Sequence, residues 1–206
     1  MKHSKQLDYL ATIKKNHKII VQFDKQKDDK EIDTMWRHYN SLRYMNRLAG
    51  FPLLHPYTVA IHCYYTGILF EEIAFHENIA ITKRELYFVF RHDLLETITG
   101  DVLLPVKIHS KSVKEKWESI EKEMVQSKYT YLRSFNNGDM ERIFSPEAWN
   151  LFKACDLFEL YLFCQEETEL GNMTKGIWTV LKNCQNLLPE FNIRFINERI
   201  DHVIQL

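Results

Sequence analysis

Three places in this 206-residue chain put imidazole or carboxylate groups among apolar neighbours. His92 and Asp93 are adjacent and flanked by Leu86, Val89, Phe90, Leu94 and Leu95. Asp156 sits inside Leu151–Phe163 (LFKACDLFELYLF), where a carboxylate needs a partner. His62 falls on the apolar side of a segment carrying Val59, Tyr65, Ile68 and Leu69. Burying such groups costs on the order of several kcal/mol unless they are paired or bind metal. A His-Asp dipeptide alone is most often a surface or hydrogen-bonded pair. One His, a His-Asp pair and a further Asp on three helices can, however, converge as two nitrogen and two oxygen donors. Such a set suits Mn, Co, Zn, Fe or Ni better than Ca.

These residues must be held by helices. Glu31–Arg47 places Ile32, Met35, Trp36, Tyr39 and Leu42 at the spacing of a buried helical stripe. The chain breaks at Gly50-Phe51-Pro52 and resumes with Thr58 as cap of a helix to about Glu77. Thr82 with Glu85 three residues on is a capping box for a helix over Lys83–Thr97, which sets His92-Asp93 in mid-helix. Thr99-Gly100-Asp101 to Pro105 reads as a turn and loop, Val113–Arg133 as a charged helix, and Asn136-Asn137-Gly138-Asp139 as a turn. Ser145-Pro146-Glu147 opens a long apolar helix to about Glu169, stopped by Gly171-Asn172. Two more helices end the chain. The expectation is an all-α bundle of about seven or eight helices in one domain spanning residues 1–206, with the metal site in its core.

Composition narrows the class. Apolar residues at 45% and charged residues at 27% are ordinary for a globular protein, and six Gly with five Pro are poor material for a turn-rich β fold. A net charge of −1 gives no reason to bind a nucleic-acid polymer or an anionic membrane. No run approaches the length of a membrane-spanning helix, and Met1–Asp8 lacks the apolar stretch of a secretory leader. The four cysteines, without C-x-x-C spacing, read as buried reduced thiols. A cytoplasmic protein is expected. The aromatic groups Tyr64–Tyr65, Tyr87–Phe88–Phe90 and Phe158–Phe163 read as core.

Four segments resemble the HD-domain metal-dependent phosphohydrolases, and most closely their 5′-deoxynucleotidase branch. They are Arg47 to His62; His92-Asp93-Leu94-Leu95-Glu96 with Thr99-Gly100-Asp101 and Pro105-Val106-Lys107; Ser119-Ile120-Glu121-Lys122, a weaker match; and Ala154-Cys155-Asp156 through Gly171-Asn172. His55 and His62 compete as the first ligand. His62 lies inside a helix and follows Arg47 at the family's interval of fifteen residues, whereas His55 sits between Leu54 and Pro56 in a loop near the site mouth.

The resemblance implies His62, His92, Asp93 and Asp156 as ligands of one divalent transition metal. Glu96 is implied as general acid/base, and Arg47 with Lys107 as phosphate contacts. Asp101 is implied at the sugar hydroxyl. Leu48 stands where the family usually has a tryptophan near the sugar, which leaves selection of deoxyribose over ribose open. Ile61 stands where an acidic residue commonly precedes the first histidine, so a partner for His62 must come from elsewhere. The implied activity is hydrolysis of deoxynucleoside 5′-monophosphates by a homodimer. A dNTP triphosphohydrolase is the nearest alternative, needing more cations than Arg43, Arg91 and Lys111 readily supply. A non-catalytic nucleotide- or partner-binding protein is a third. His3, His17, His38, His76, His109 and His202 lie in polar or terminal contexts and read as surface residues.

Overall fold

The computed structural model describes residues 29–101, 110–127 and 143–200. Among them are eight α-helices: α1 (Asp29–Ser41), α2 (Val59–Glu77), α3 (Lys83–Val89), α4 (Glu96–Thr99), α5 (Lys111–Ser127), α6 (Pro146–Glu169), α7 (Lys175–Leu187) and α8 (Arg194–Ile200). Short 3-10 turns follow α1 (Leu42–Tyr44) and α7 (Leu188–Phe191). The architecture is all-α. The chain divides into two compact units, Met1–Arg37 and His38–Leu206. Of the first, only the start of α1 is among the described residues.

Local signals set the helix ends. The Thr58 hydroxyl accepts the Ile61 N–H to start α2, and Asn78, in a left-handed conformation, ends it by donating to the Ala74 and Phe75 carbonyls. Thr82 and Glu85 form the reciprocal capping box of α3. Glu85 also accepts the Ser145 N–H at 3.1 Å, which ties the start of α3 to that of α6. There Ser145 caps and Pro146 occupies the first turn.

Helix α6 packs against both α2 and α7 and is the bundle's central element. It buries Leu151, Phe152, Ala154, Cys155, Phe158 and Tyr161, each fully burying side chain of this size contributing about 1.5–3 kcal/mol for the larger ones. On α2, which packs against it, Val59, Cys63, Phe70 and Ile73 are buried. Phe70, Phe88, Phe144 and Phe152 form an aromatic cluster between α2, α3 and α6.

Three expectations change. The helix expected over Lys83–Thr97 ends at Val89, and His92-Asp93 lies in a series of tight turns before α4. From Arg91 to Ile98 the backbone bonds run mostly from residue i to i−3. His92 takes the Val89 carbonyl with both its N–H and its ring Nδ1, at 3.4 and 2.8 Å, removing the acceptor that Asp93 would use in an α-helix. The first helix ends at Ser41 rather than Arg47, and its stripe is only partly covered. Leu42 is buried, while Trp36 is 62% exposed. Tyr64, Tyr65 and Tyr87, read as core, are about half exposed. The expected Asn136–Asp139 turn lies outside the described residues.

Candidate metal centre

Three elements deliver the site. His62 comes from the first turn of α2, His92 and Asp93 from the turns after α3, and Asp156 from the middle of α6. The His62 and His92 Nε2 atoms are 3.1 Å apart. Asp156 Oδ1 lies 3.0 Å from His62 Nε2 and 3.4 Å from His92 Nε2. Asp93 Oδ2 lies 3.6 and 3.4 Å from the same two atoms. His62, His92 and Asp93 form a group able to hold a metal ion. The break after Val89 is what lets consecutive residues converge, because neighbours on a regular helix point about 100° apart.

The other ring nitrogens are already spent. His92 Nδ1 donates to the Val89 carbonyl, and His62 Nδ1 is hydrogen-bonded to Glu159. Both Nε2 atoms are therefore left as lone pairs, facing each other and two carboxylate oxygens. Acceptors held this close to one another repel unless a cation or protons lie between them. The donor set thus fits a divalent transition metal. Without one, protons take its place. Burial opposes the charged form of His92, but the Asp93 carboxylate, Cys63 and the hydrogen bond to Asp156 together outweigh it and raise the His92 pKa well above the ordinary value. Burial likewise pushes Asp93 and Asp156 up. The His92 and Arg47 charges hold Asp93 well below the usual carboxylate range, and hydrogen bonds from His62 and His92 do so for Asp156.

Arg47 reaches the same point from a loop. Reciprocal bonds, Arg47 N–H to the Tyr57 carbonyl (2.8 Å) and Val59 N–H to the Met45 carbonyl (2.9 Å), close residues 45–59 back on the start of α2. The guanidinium pairs with Asp93 Oδ2. Glu96 is buried and near enough to Arg47 to favour its charged form. Asp101 Oδ2 accepts the Leu48 N–H at 3.1 Å. Leu48 itself is buried with φ +52°, so its backbone, rather than its side chain, meets Asp101.

Lys107, expected at the phosphate, lies outside the described residues. His55 stands apart from the cluster. Its N–H donates to Glu167 Oε1 at 2.9 Å, and its ring lies 3.3 Å from the same oxygen. Arg91 turns to Tyr87, with its guanidinium 3.8 Å from the ring centre and Nη1 bonded to the Tyr87 carbonyl. His38, read as a surface residue, is part-buried, and burial lowers its pKa.

No motif in the sequence assigns Glu159 a role. It is the partner of His62 that Ile61 cannot be. Its signal was present: Asp156 and Glu159 stand three residues apart, on one side of an otherwise apolar helix.

The chain is similar to known proteins in sequence and in fold. A family model described as 5′-deoxynucleotidase YfbR-like matches residues 35–202. The chain is similar to a 5′-deoxynucleotidase of Yersinia pestis (strain Pestoides F), with 27% identity over 146 residues, 66% of this chain and 74% of that protein. Among solved structures, it resembles the cyanophage S-2L HD phosphohydrolase DatZ, bound to dA and one catalytic Zn2+ ion. That match has a TM-score of 0.58 and 17% identity, covering 81% of this chain and 96% of the other. A conserved hypothetical protein from Pyrococcus furiosus matches with a TM-score of 0.60 and 21% identity over 84% of this chain and 99% of its own.

Proposed function

The chain belongs to the YfbR-like 5′-deoxynucleotidase family, and from that membership and the site we propose that it hydrolyses deoxynucleoside 5′-monophosphates to deoxynucleoside and phosphate. The observation that carries the reading is the pair of facing Nε2 lone pairs, bracketed by Asp93 and Asp156, with a guanidinium beside them. In it, His62, His92, Asp93 and Asp156 hold one divalent metal ion. Such an ion lowers the pKa of a bound water and polarises a phosphoryl oxygen.

The protein groups do the remaining work. Arg47 leaves Asp93 to offer two parallel N–H bonds to phosphate oxygens. Glu96, buried beside Arg47, passes a proton to the leaving sugar oxygen. Asp101 meets a sugar hydroxyl with the oxygen that Leu48 does not use, and Lys107 adds a second positive charge at the phosphate. The monophosphate is favoured over a triphosphate because Arg91, a candidate third cation, is engaged on Tyr87. A homodimer in the cytoplasm, bound to neither membrane nor nucleic-acid polymer, completes the proposal. The net charge of −1 gives no reason for a nucleic-acid polymer to bind, and among the described residues no helix is long and apolar enough to cross a membrane.

The test is phosphate release from each dNMP, NMP and dNTP under Mn2+, Co2+ or Zn2+. Release of orthophosphate from at least one dNMP is expected. Triphosphate as the product from dNTPs, with dNMPs inert, would replace the reading with a triphosphohydrolase. Inertness towards every nucleotide would leave a binding protein.

A further inference from the structure

We propose that Glu159 is a positioning residue of the metal centre: it fixes the tautomer and ring orientation of His62 so that Nε2 faces the metal, with Tyr57 holding it in place. The inference rests on the reading of His62 as a metal ligand. Glu159 is 5% exposed, Tyr57 1% and His62 0%, so water does not compete for their bonds. Glu159 Oε2 accepts from the Tyr57 hydroxyl at 2.5 Å and is hydrogen-bonded to His62 Nδ1. The Tyr57 oxygen also lies 3.3 Å from Nδ1. A carboxylate buried in an apolar helix is costly, and two charge-assisted bonds to one oxygen offset that cost.

The two histidines are held differently. His92 Nδ1 donates to a neutral backbone carbonyl, whereas His62 Nδ1 donates to an anion. An anionic acceptor keeps the proton on Nδ1 and leaves the Nε2 lone pair for the metal. Glu159 stands one turn after Asp156 on α6, so one rigid helix sets both a ligand and the partner of another ligand. Tyr57 connects the same node to the Arg47 loop, because its carbonyl accepts the Arg47 N–H.

The experiment measures Zn2+ affinity by chelator competition for wild type, Glu159→Gln and Tyr57→Phe. It adds 15N–1H spectra of the zinc-loaded proteins labelled at histidine. Glu159→Gln is expected to weaken Zn2+ binding about 10- to 100-fold and to shift the His62 Nδ1–H resonance upfield. Raising the Zn2+ concentration should restore its turnover, which it should not do for His62→Ala. Tyr57→Phe, which removes no charge, is expected to move both readouts in the same direction by less. Unchanged Zn2+ affinity in Glu159→Gln, or a wild-type His62 carrying its proton on Nε2, overturns the inference while leaving the metal reading intact. A wild type that binds no Zn2+ overturns the metal reading first, and this inference with it. Should Glu159→Gln fail to fold, unchanged affinity in Tyr57→Phe together with no Nδ1–H resonance in the wild type overturns the inference.

Discussion

The Nε2 atoms of His62 and His92 lie 3.1 Å apart with neither Nδ1 free to change roles. Two lone pairs held that close repel, so on the proposed reading an ion between them would stabilise the fold as well as serve the reaction. Removing metal with a chelator is expected to abolish phosphate release and to lower the melting temperature. Mn2+, Co2+ or Zn2+ should restore both. An ion at 100 times its dissociation constant contributes about 2.7 kcal/mol. Asp156→Asn should cut turnover by at least about 100-fold and shrink the metal-dependent rise in melting temperature. Full activity in exhaustively chelated protein would count against the site.

Arg47 carries the next prediction. Its guanidinium pairs with Asp93, so on the proposed reading substrate phosphate would compete with that carboxylate, which a bound metal would draw away. Arg47→Lys keeps the charge but loses the two-pronged geometry. A charge-assisted hydrogen bond contributes about 1.5–3 kcal/mol, so kcat/KM should fall about 10- to 100-fold. Competitive inhibition by inorganic phosphate should weaken in parallel. If phosphate inhibits the variant as well as the wild type, Arg47 does not bind the transferred group.

What the sequence made legible follows from the range of each signal. The bounds of α2 and α6 are local, written in Thr58 and in Ser145-Pro146, and both helices run as expected. The turn at His92 was hidden because helical propensity continues past Val89. What ends the helix is a side-chain bond from His92 to the Val89 carbonyl, which periodicity does not register. Glu159 was hidden for a different reason: its partners, Tyr57 and His62, are about a hundred residues away in sequence. Periodicity told which residues share a face of α2, but not that Tyr64 and Tyr65 would lie half exposed.

Gly67 links packing to the metal centre. A methyl group there would stand 2.3 Å from Cε1 of Phe90, so the ring lies directly on the α2 backbone. Phe90 is two residues before His92, and this contact seats the turn that carries His92 and Asp93. Gly67→Ala is expected to cost about 1–3 kcal/mol of stability through overpacking. It should also weaken Zn2+ binding, because the turn must move away from His62. Adding Phe90→Leu should recover part of both losses. A single variant that loses stability but binds Zn2+ normally would separate the packing from the site.

Glu167 governs how the loop before α2 responds to acid. Its carboxylate accepts the N–H groups of Leu54 (2.8 Å) and His55 (2.9 Å) and the side-chain amide of Asn172 (2.6 Å). Burial pushes its pKa up, but these donors outweigh burial and hold it below the usual 4.5. With the folded value lowered, the unfolded chain binds more protons between that value and 4.5, and stability rises with pH across the interval. The contribution is complete above 4.5 and is lost as pH falls through the folded value. Glu167→Gln is therefore expected to be about 1–3 kcal/mol less stable at pH 7. The gap to wild type should narrow as pH drops below 4.5. Urea unfolding of both proteins at neutral pH and at stepwise lower pH measures it. A gap that stays constant throughout would mean that the shape of the side chain, rather than its charge, holds the loop.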